Sequence, residues 1–392
     1  MRKTITFMLL ITVMFNLCAC GGDTGKGEET MTYIATDADI AHLESLYAGR
    51  QAVHGDMHNH SASTPESDGK NTLKEWKENM AYLTDLDFAT IVDHEQVKHM
   101  RLEDWDETVF VGGSEPGLVV TDCSNCTSEK MDYAMVFAKP EGLEAVLNTY
   151  IEDYLYLPEI SYRWEGKIRG DHQAIAELAG CVRDNGGLFV QVHPTLDGYF
   201  DPVDPLDYWF CDEVGFEVIN GLKQNLKNEV NFKAYETWVT LLKNGKRIWA
   251  TAGGDTHKLP NVESIVTLYS TEKNATGYIS QMRVGDLTAG PVGIRMSIGD
   301  AVTGGVGSFE GNRVVVAVGD FHSVATKPNH TYRLDLYDDT GLIISQEIST
   351  TEVNYIAIDA DPARNFYRAN VYDVTDDYIF AVGNPIWNEA GE

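Results

Sequence analysis

The chain has 392 residues, of which 43% are hydrophobic and 10% aromatic, as in an ordinary globular protein with a large core and room for a second domain. Its 30 basic and 60 acidic residues give a formal charge of −30, which argues against nucleic acid or an anionic membrane surface as a partner. An anionic substrate stays open, because bound divalent cations reverse the charge locally.

The N-terminal residues have the pattern of an export signal. A basic start precedes an apolar stretch over residues 5–17, and the segment Leu17-Cys18-Ala19-Cys20 is similar to the bacterial lipobox. We therefore expect a signal peptide over residues 1–19, diacylation of Cys20, and a flexible tether over residues 20–32. The residue after Cys20 is Gly and not Asp, which favours the outer membrane or the cell surface, with the periplasmic side as the alternative. Membrane contact would then run through the lipid anchor alone.

Short apolar runs that alternate with helical patterns occupy the chain from about residue 53 to residue 254. Such runs are typical of strands that are buried on both faces. The alternation predicts an α/β fold with a parallel sheet, and the number of units favours a distorted β/α barrel of about seven strands over residues 33–300. The predicted strands are Val53–Met57, Phe88–Val92, Val109–Val111, Tyr133–Phe137, Leu188–Val192, Phe216–Ile219 and Ile248–Ala252.

Helix start and stop signals separate these strands. The segment Thr72-Leu-Lys-Glu75 is typical of a capping box that opens a helix to about Leu83. Helical spacing predicts a second helix over Glu141–Leu155. Capping residues and following glycines predict two more, over Asp171–Asn185 and Asn228–Asn244.

The pattern changes after about residue 300. Alternating apolar residues and turns such as Asp338-Asp-Thr-Gly341 predict a small antiparallel β module, similar to a β-sandwich, over residues 301–392. Its predicted strands are Val314–Val318, Tyr332–Tyr337, Leu342–Ile348, Tyr355–Ile358 and Ala369–Tyr372.

The cysteines outside the export signal bear on metal binding. In an exported protein the pair Cys123-x-x-Cys126 favours a local disulfide over a thiolate metal site. A zinc site with four thiolates would require Cys181 and Cys211 to converge on that pair.

Side chains of the metal-ligand types recur where the predicted strands end. His58 and His60 lie two apart on one strand, so both point to the same side. In a parallel α/β barrel the carboxyl ends of the strands meet on one face. The mixture of imidazoles and carboxylates suits two or three divalent ions of Zn, Mn or Fe, and a bridging hydroxide could attack phosphorus or carbon. The later members of the set are Asp93-His94, Glu115, His193 and Asp255-x-His257.

These motifs together resemble the polymerase-and-histidinol-phosphatase (PHP) family of metallohydrolases in order and approximate spacing. The resemblance implies a PHP-type barrel and a metal-dependent hydrolase, with phosphoester hydrolysis by a metal-bridging hydroxide as the main expectation. The C-terminal residues 380–387 look like the tail of the branch that includes carbaryl hydrolase. The motifs are Gly55-Asp-Met-His-Asn-His60, Val92-Asp-His94, Gly113-Ser-Glu115, Val192-His-Pro194 and Gly254-Asp-Thr-His257.

The resemblance also implies roles for individual residues. Glu115 matches the bridging carboxylate and, with Asp255, would position the hydroxide. Asp68 matches an Asp that is a ligand in some members, although three extra residues separate it from His60. Asp132 lies where the family has a further His, so it either replaces that ligand or a third metal is weak or absent. The residues that match the other ligands are His58, His60, His94, His193, Asp255 and His257.

Three further residues are candidates for supporting roles. Asp93 would orient an imidazole of the metal centre. His172 lies at the start of a predicted helix, and in a β/α barrel the helix starts face the active side, so it is a candidate for proton transfer. Asn220 follows a predicted strand and is a candidate for contact with the substrate.

Two kinds of functional alternative stay open, namely a hydrolase with the same metal centre that cleaves another bond, and a binding protein that is not an enzyme. The same metals would support hydrolysis of a carboxyl ester, a carbamate or an amide, as the carbaryl-hydrolase resemblance allows. A surface lipoprotein that binds carbohydrate or peptide with a degenerate metal site is the alternative outside the enzymes. We expect a small-molecule substrate, with a phosphorylated compound as the main case and no nucleic acid. The sequence sets no oligomeric state.

Overall fold

A computed structural model describes residues 33–63, 67–94, 97–150, 169–221, 226–259 and 264–391. The signal peptide, the lipidated Cys20 and the tether predicted for residues 1–32 lie outside the described residues, as does the predicted end of a helix at Leu155. In the described ranges, no helix has both the length and the apolar character that a membrane crossing requires.

The helices begin where a side chain satisfies the first free backbone N–H groups. Thr72 and Glu75 form the predicted capping box, and the side chains of Asp171 and Asn228 accept hydrogen bonds from N–H groups of the following turn. The helices are α1 (Asp37–Leu46), α2 (Leu73–Asn79), α3 (Pro140–Tyr150), α4 (His172–Asp184), α5 (Glu229–Lys243) and α6 (Ala275–Met282).

The apolar runs of the first 290 residues form strands of one large sheet. Strands in its centre, such as Leu188–Gln191, are buried along their whole length, because helices cover the sheet. The strands are β1 (Gln51–Asn59), β2 (Phe88–Ile91), β3 (Phe110–Ser114), β4 (Gly117–Val120), β5 (Lys130–Phe137), β6 (Arg169–Gly170), β7 (Leu188–Gln191), β8 (Val214–Asn220), β9 (Ile248–Gly253), β10 (Val266–Ser270) and β11 (Leu287–Ala289).

The central part of this sheet is mostly parallel. Strands β1, β2 and β3 run parallel to one another, and so do β7, β8 and β9. Strand β5 lies between the two groups and runs antiparallel to β3 and to β7. The C-terminal ends of the parallel strands and the N-terminal end of β5 therefore lie along one edge of the sheet.

The sheet is open, and the predicted barrel is not formed as a closed structure. Strand β1 pairs with β2 on one side and antiparallel with β10 on the other. Both edges of β1 are thus occupied, and in the described residues its strand pairing with the chain after β9 is limited to a bridge between Asn59 and Thr256. The predicted α/β class with a mostly parallel central sheet is confirmed, whereas barrel closure is not.

The C-terminal part is antiparallel, as predicted. Strands β16, β17, β19 and β20 extend the large sheet from β11, and β12, β13, β15 and β18 form a second sheet. Strand β12 pairs with β15, so hydrogen bonding crosses the domain boundary predicted at residue 300. The strands are β12 (Gly293–Ile298), β13 (Ala301–Val302), β14 (Val306–Gly307), β15 (Arg313–Gly319), β16 (Tyr332–Asp338), β17 (Gly341–Ile348), β18 (Asn354–Asp359), β19 (Phe366–Asp373), β20 (Tyr378–Gly383) and β21 (Ile386–Asn388).

The core supports the edge where the parallel strands end. One cluster packs α4, α5 and α6 on the central sheet, with Trp238 and Tyr278 fully buried in it. A second cluster packs Trp76 of α2 against Ile91 and Phe110. The Nε1–H of Trp76 donates to the carbonyl of His60 at 3.2 Å. Packing of α2 therefore also holds the chain that leaves β1.

Candidate metal centre

The predicted ligands lie together along the edge where the parallel strands end. His58 is the penultimate residue of β1 and His60 follows that strand directly. The remaining predicted ligands are carried by the segments that follow the neighbouring strands, and Asp68 comes from the loop before α2. Those that follow strands are His94 after β2, Glu115 after β3, His193 after β7, and Asp255 and His257 after β9.

Glu115 lies at the middle of the centre and is 1% exposed. Its Oε2 is 3.3 Å from His58 Nε2, 3.1 Å from His60 Nε2 and 3.5 Å from His94 Nδ1. Its Oε1 is 3.2 Å from His193 Nε2. One buried carboxylate shared by imidazoles from three strands is the arrangement expected of a bridging ligand.

Asp255 and Asp68 supply the other carboxylates. Asp255 Oδ1 lies 3.6 Å from His58 Nε2, 3.3 Å from His60 Nε2 and 3.4 Å from His257 Nδ1. Asp68 Oδ2 lies 3.0 Å from His257 Nε2 and 3.7 Å from His94 Nε2. The three extra residues before Asp68 therefore do not keep it away from the other predicted ligands.

These side chains form overlapping groups that could each hold a divalent ion. Within each group the ligand atoms all lie within 4.8 Å of one another. His58 and His60 each belong to two groups, which suits a centre with more than one metal. The groups are His60, Asp68, His94 and His257; His58, His60 and Asp255; and His58, Glu115 and His193.

Several polar atoms of the centre are buried without a hydrogen-bond partner among the described residues. They include His60 Nδ1, Asp68 Oδ1 and His193 Nδ1. A buried polar atom that lacks a partner costs about 1–3 kcal/mol, so such a cluster requires compensation. Imidazole nitrogen and carboxylate oxygen are ligand types that Zn, Mn and Fe accept. The residues present therefore fit divalent metal ions.

The electrostatics of the centre also favour bound cations. Burial alone lowers the pKa of a histidine, because it disfavours the charged form. For His60 the hydrogen bonds of Asp255 and Glu115 outweigh burial and raise the pKa to about 10. For His193 the hydrogen bond and charge of Glu115 raise it to about 9. Burial raises the pKa of Asp255, but the charge of His58 and other contacts lower it overall. Divalent ions would supply positive charge in place of these protons.

Glu217, in the middle of β8, orients one of the central imidazoles. It is 2% exposed, and its Oε1 lies 3.2 Å from His58 Nδ1. Its Oε2 accepts hydrogen bonds from the His193 backbone N–H at 2.7 Å and from Asn220 Nδ2 at 3.0 Å. A carboxylate at Nδ1 sets the tautomer that leaves Nε2 free toward Glu115. Sequence analysis assigned no role to Glu217, although an acidic residue inside a fully buried strand is itself a signal.

The backbone around the centre is tightly built. Asp56 Oδ1 accepts from the N–H groups of His58 at 3.0 Å and Gly254 at 2.8 Å. A Cβ at Gly253 would collide with Glu217 and His58, so the backbone approaches these side chains closely. His193 and Asp255 have φ values of 31° and 48°. Backbone conformations of this kind are uncommon for non-glycine residues and cluster at functional sites.

Asp93 holds the chain after the His58–His60 pair. Its carboxylate accepts from the Ser61 N–H at 2.6 Å and from the Ser61 hydroxyl at 2.7 Å. The imidazole in contact with it is that of His99, whose Nδ1 is 3.6 Å away. The predicted role of Asp93 was to orient an imidazole of the centre, whereas the imidazole beside it, that of His99, is not one of the predicted ligands.

Asp132 lies beside the centre. Its Oδ2 is 3.9 Å from His193 Nε2, longer than the distances of 3.0–3.7 Å given above between the carboxylates and imidazoles of the predicted ligands. Burial, and after it the charge of Glu115, raises the pKa of Asp132 to about 6. The Tyr199 hydroxyl forms a hydrogen bond with the Asp132 side chain, and the Tyr199 ring contacts the His193 ring edge-on, with the ring centroids 4.8 Å apart. Tyr199 was missed in the sequence, because its loop carries no motif.

His172 and Asn220 do not belong to the three ligand groups. His172 Nδ1 pairs with Asp122 at 2.7 Å and its Nε2 lies 2.8 Å from the carbonyl of Asp207. Asn220 is 2% exposed, and its side chain donates to Glu217. Proton transfer by His172 and substrate contact by Asn220 stay predictions.

The cysteines are arranged as predicted. Cys123 and Cys126 form a disulfide, and Cys181 and Cys211 are free. The alternative of a zinc site with four thiolates is therefore not formed.

Comparison with known proteins gives distant structural similarity to solved structures. No protein-family model matches the chain, and no curated protein matches it. Among solved structures, it is similar to a two-domain protein from Bacteroides vulgatus ATCC 8482 that contains a predicted PHP-like metal-dependent phosphoesterase. The TM-score is 0.40 and the identity 13%, over 87% of this chain and 95% of that chain. A similarity this distant carries no functional conclusion, so function has to follow from the site.

Proposed function

We propose that this protein is a metal-dependent hydrolase and that its main reaction is hydrolysis of a phosphoester. One observation carries the proposal, namely the convergence of imidazoles and carboxylates from five segments around Glu115. Bound divalent ions would supply Lewis acidity toward a phosphoryl oxygen and would activate a water molecule. The PHP resemblance of the motifs favours phosphorus over carbon as the atom attacked.

The chain's own residues define how such a centre would be held. Glu115 and Asp255 bring two carboxylates among buried imidazoles, and Glu217 orients His58 through its Nδ1. Trp76 fixes the carbonyl of His60 from the other side. The centre is therefore positioned by strands and by a packed helix, which suits the geometric precision that catalysis requires.

Solvent reaches the centre from one side. The side chains of His58 and His60 are 1% and 0% exposed, whereas those of His94, His257 and Asp68 are 21%, 32% and 35% exposed. We infer that a small substrate approaches the ligands from the side of Asp68, His94 and His257. Substitution of these residues should therefore affect substrate binding as well as metal retention.

Metal removal tests the proposal directly. Treatment with a chelator should abolish hydrolysis of nitrophenyl phosphate, and addition of Zn²⁺, Mn²⁺ or Mg²⁺ should restore it. Elemental analysis of the same samples shows whether metal content and turnover change together. Retention of full activity by a verified metal-free sample would overturn the proposal.

A substrate panel separates the remaining alternatives. Phosphomonoesters and phosphodiesters should be cleaved faster than carboxyl esters, carbamates and amides. The reverse order would favour the ester, carbamate or amide hydrolase. Full metal occupancy without turnover of any substrate would favour a binding lipoprotein.

We also propose that the mature chain is lipid-anchored through Cys20. The support is the lipobox-like segment before it. Metabolic labelling with radioactive palmitate should label the wild-type protein and not the Cys20→Ser variant, and cell fractionation should move that variant out of the membrane fraction. Equal labelling of both proteins would contradict the anchor.

A further inference from the structure

A cleft of about 560 Å³ lies at the opposite edge of the central sheet from the metal centre. Leu188 and Trp249, at the N-terminal starts of β7 and β9, are among its lining residues. Asp255 of the metal centre follows the other end of β9, six residues beyond Trp249. At about 3.3 Å per residue, this places the two sites roughly 20 Å apart. The cleft therefore cannot share a small ligand with the metal centre.

The charged residues that line the cleft are mostly arginines. They are Arg183, Arg247, Arg283 and the single acidic residue Glu213. Nη1 of Arg183 lies 3.3 Å from Glu213 Oε2, so one charge of each sign is paired. Among the described residues Arg283 pairs with no carboxylate, so its guanidinium brings a positive charge to this cleft, on a chain whose formal charge is −30. Such a local reversal of sign attracts anions.

Two N–H donors of the lining residues have no acceptor among the described residues. Trp249 is 3% exposed, and its Nε1 is buried without a partner. Arg283 donates through Nη2 to the carbonyl of Arg183 at 2.9 Å, but its Nε is buried and without a partner. Indole and guanidinium nitrogens donate hydrogen bonds and do not accept them. The missing partner is therefore an acceptor.

The polar hydroxyls of the cleft do not fill that need. The Ser280 hydroxyl donates to the carbonyl of Thr276 at 2.8 Å. Thr303 Oγ1 accepts from the Met296 N–H at 3.1 Å and lies 3.3 Å from the Tyr47 hydroxyl. These groups are used within the fold, whereas the donors of Trp249 and Arg283 are not.

We propose that this arginine cleft binds a small organic anion through its carboxylate or phosphate oxygens. The guanidinium of Arg283 and the indole N–H of Trp249 would donate to the oxyanion, and the same guanidinium would supply the positive charge. A guanidinium matches the geometry of both kinds of oxyanion. Leu188, Val302 and Val306 line the same cleft and provide contact for an apolar part of the ligand.

Inorganic phosphate and citrate serve as the two probes, one for each kind of oxyanion. Calorimetric titration of the full-length, metal-depleted protein should show saturable binding of at least one of them. Trp249→Phe should abolish the accompanying change in tryptophan fluorescence. Arg283→Gln should weaken binding by roughly tenfold or more. Arg101→Gln, which removes an exposed arginine that pairs with Glu144, is the matched control and should bind like the wild type.

Two further measurements separate this cleft from the metal centre and from misfolding. His193→Ala should keep the binding, whereas loss of binding in that variant would assign the anion to the metal centre and overturn the proposal. Thermal melting shows which variants fold, and if Arg283→Gln does not, the affinity of Trp249→Phe decides. Absence of binding of both probes at about 10 mM, or wild-type binding by the folded cleft variants, would also overturn it.

Discussion

Glu217 provides the sharpest test of how the candidate metal centre is built. Substitution Glu217→Gln keeps the size of the side chain and one oxygen, but it replaces a carboxylate oxygen by an amide group. That amide cannot accept from both His58 Nδ1 and the His193 N–H, which lie 3.2 Å and 2.7 Å from the two oxygens. The change therefore disturbs the support of two predicted ligands without removing any predicted ligand.

The size of the effect follows from these contacts. Removal of a carboxylate that orients a metal-ligating histidine typically costs about 10–100-fold in metal affinity. This corresponds to roughly 1.4–2.8 kcal/mol. A hydrogen bond to a charged group contributes about 1.5–3 kcal/mol, in the same range. Because Glu217 is 2% exposed, solvent does not replace the lost contact.

Competition with a chromogenic chelator measures this affinity for Zn²⁺ and Mn²⁺. Glu229→Gln is the control, because it makes the same chemical change at an exposed position in the first turn of α5. We expect the control to bind like the wild type and Glu217→Gln to bind about 10–100-fold more weakly. Wild-type affinity in a folded Glu217→Gln protein would refute the assigned role of this carboxylate.

Three further predictions concern ligand rank, packing and pH. Glu115→Gln should lower the metal affinity roughly a hundredfold or more, whereas Asp132→Asn should lower it about tenfold or less, because Asp132 lies outside the ligand groups. Equal losses of affinity in chelator competition would make Asp132 a ligand of the same importance as Glu115. Trp76→Phe should lower the free energy of unfolding by about 1–3 kcal/mol in urea, because the bond to the His60 carbonyl is lost; an unchanged unfolding curve would contradict that contact. Burial, and after it the charge of His322, lowers the pKa of His54 to about 4 in the folded protein. Because the unfolded chain takes up this proton near pH 6.5, the free energy of unfolding should fall by roughly 3 kcal/mol as the pH is lowered from 6.5 to 4, and His54 should have no such effect above pH 6.5. Urea unfolding should show that His54→Gln loses less of its free energy of unfolding between pH 7.0 and pH 4.5 than the wild type does. An equal loss in both proteins would exclude His54 as the cause.

The strands of the central sheet were predictable because burial on both faces leaves short apolar runs. Predicted Phe88–Val92 and Ile248–Ala252 match β2 and β9 within one residue. Strand β1 extends beyond its predicted bounds at both ends, since its first residue is exposed and its last ones are polar. Polar residues at the ends of a buried strand follow from function and not from burial, so apolar runs alone miss them.

Barrel closure was not predictable from local patterns. Whether a parallel sheet closes depends on which strand occupies the free edge of β1. In this protein β10 pairs antiparallel along Gln51–Gly55 and takes that edge. The segment Val266–Ser270 is an apolar run like the others, and nothing in its composition states its partner or its direction.

Much of the candidate site follows from the sequence, because metal ligands stand at strand ends that a parallel sheet brings together. The residues that orient those ligands are harder to recognise. Glu217 is visible only as a carboxylate on a buried strand, and Tyr199 comes from a loop without a motif. Their roles depend on contacts across the edge of the sheet, at 3.2 Å for Glu217 and His58, that local sequence does not encode.

The direction of β5 explains the most irregular member of the site. In a wholly parallel sheet, a residue near the start of a strand lies at the edge opposite the active side. Asp132 is the third residue of β5, and this strand runs antiparallel to β3 and β7. Its start therefore lies at the same edge as the ends of the parallel strands, and Asp132 comes within 3.9 Å of His193. The reversed strand thus brings the carboxylate of Asp132 beside the predicted ligands, and its replacement of a histidine ligand stays a prediction.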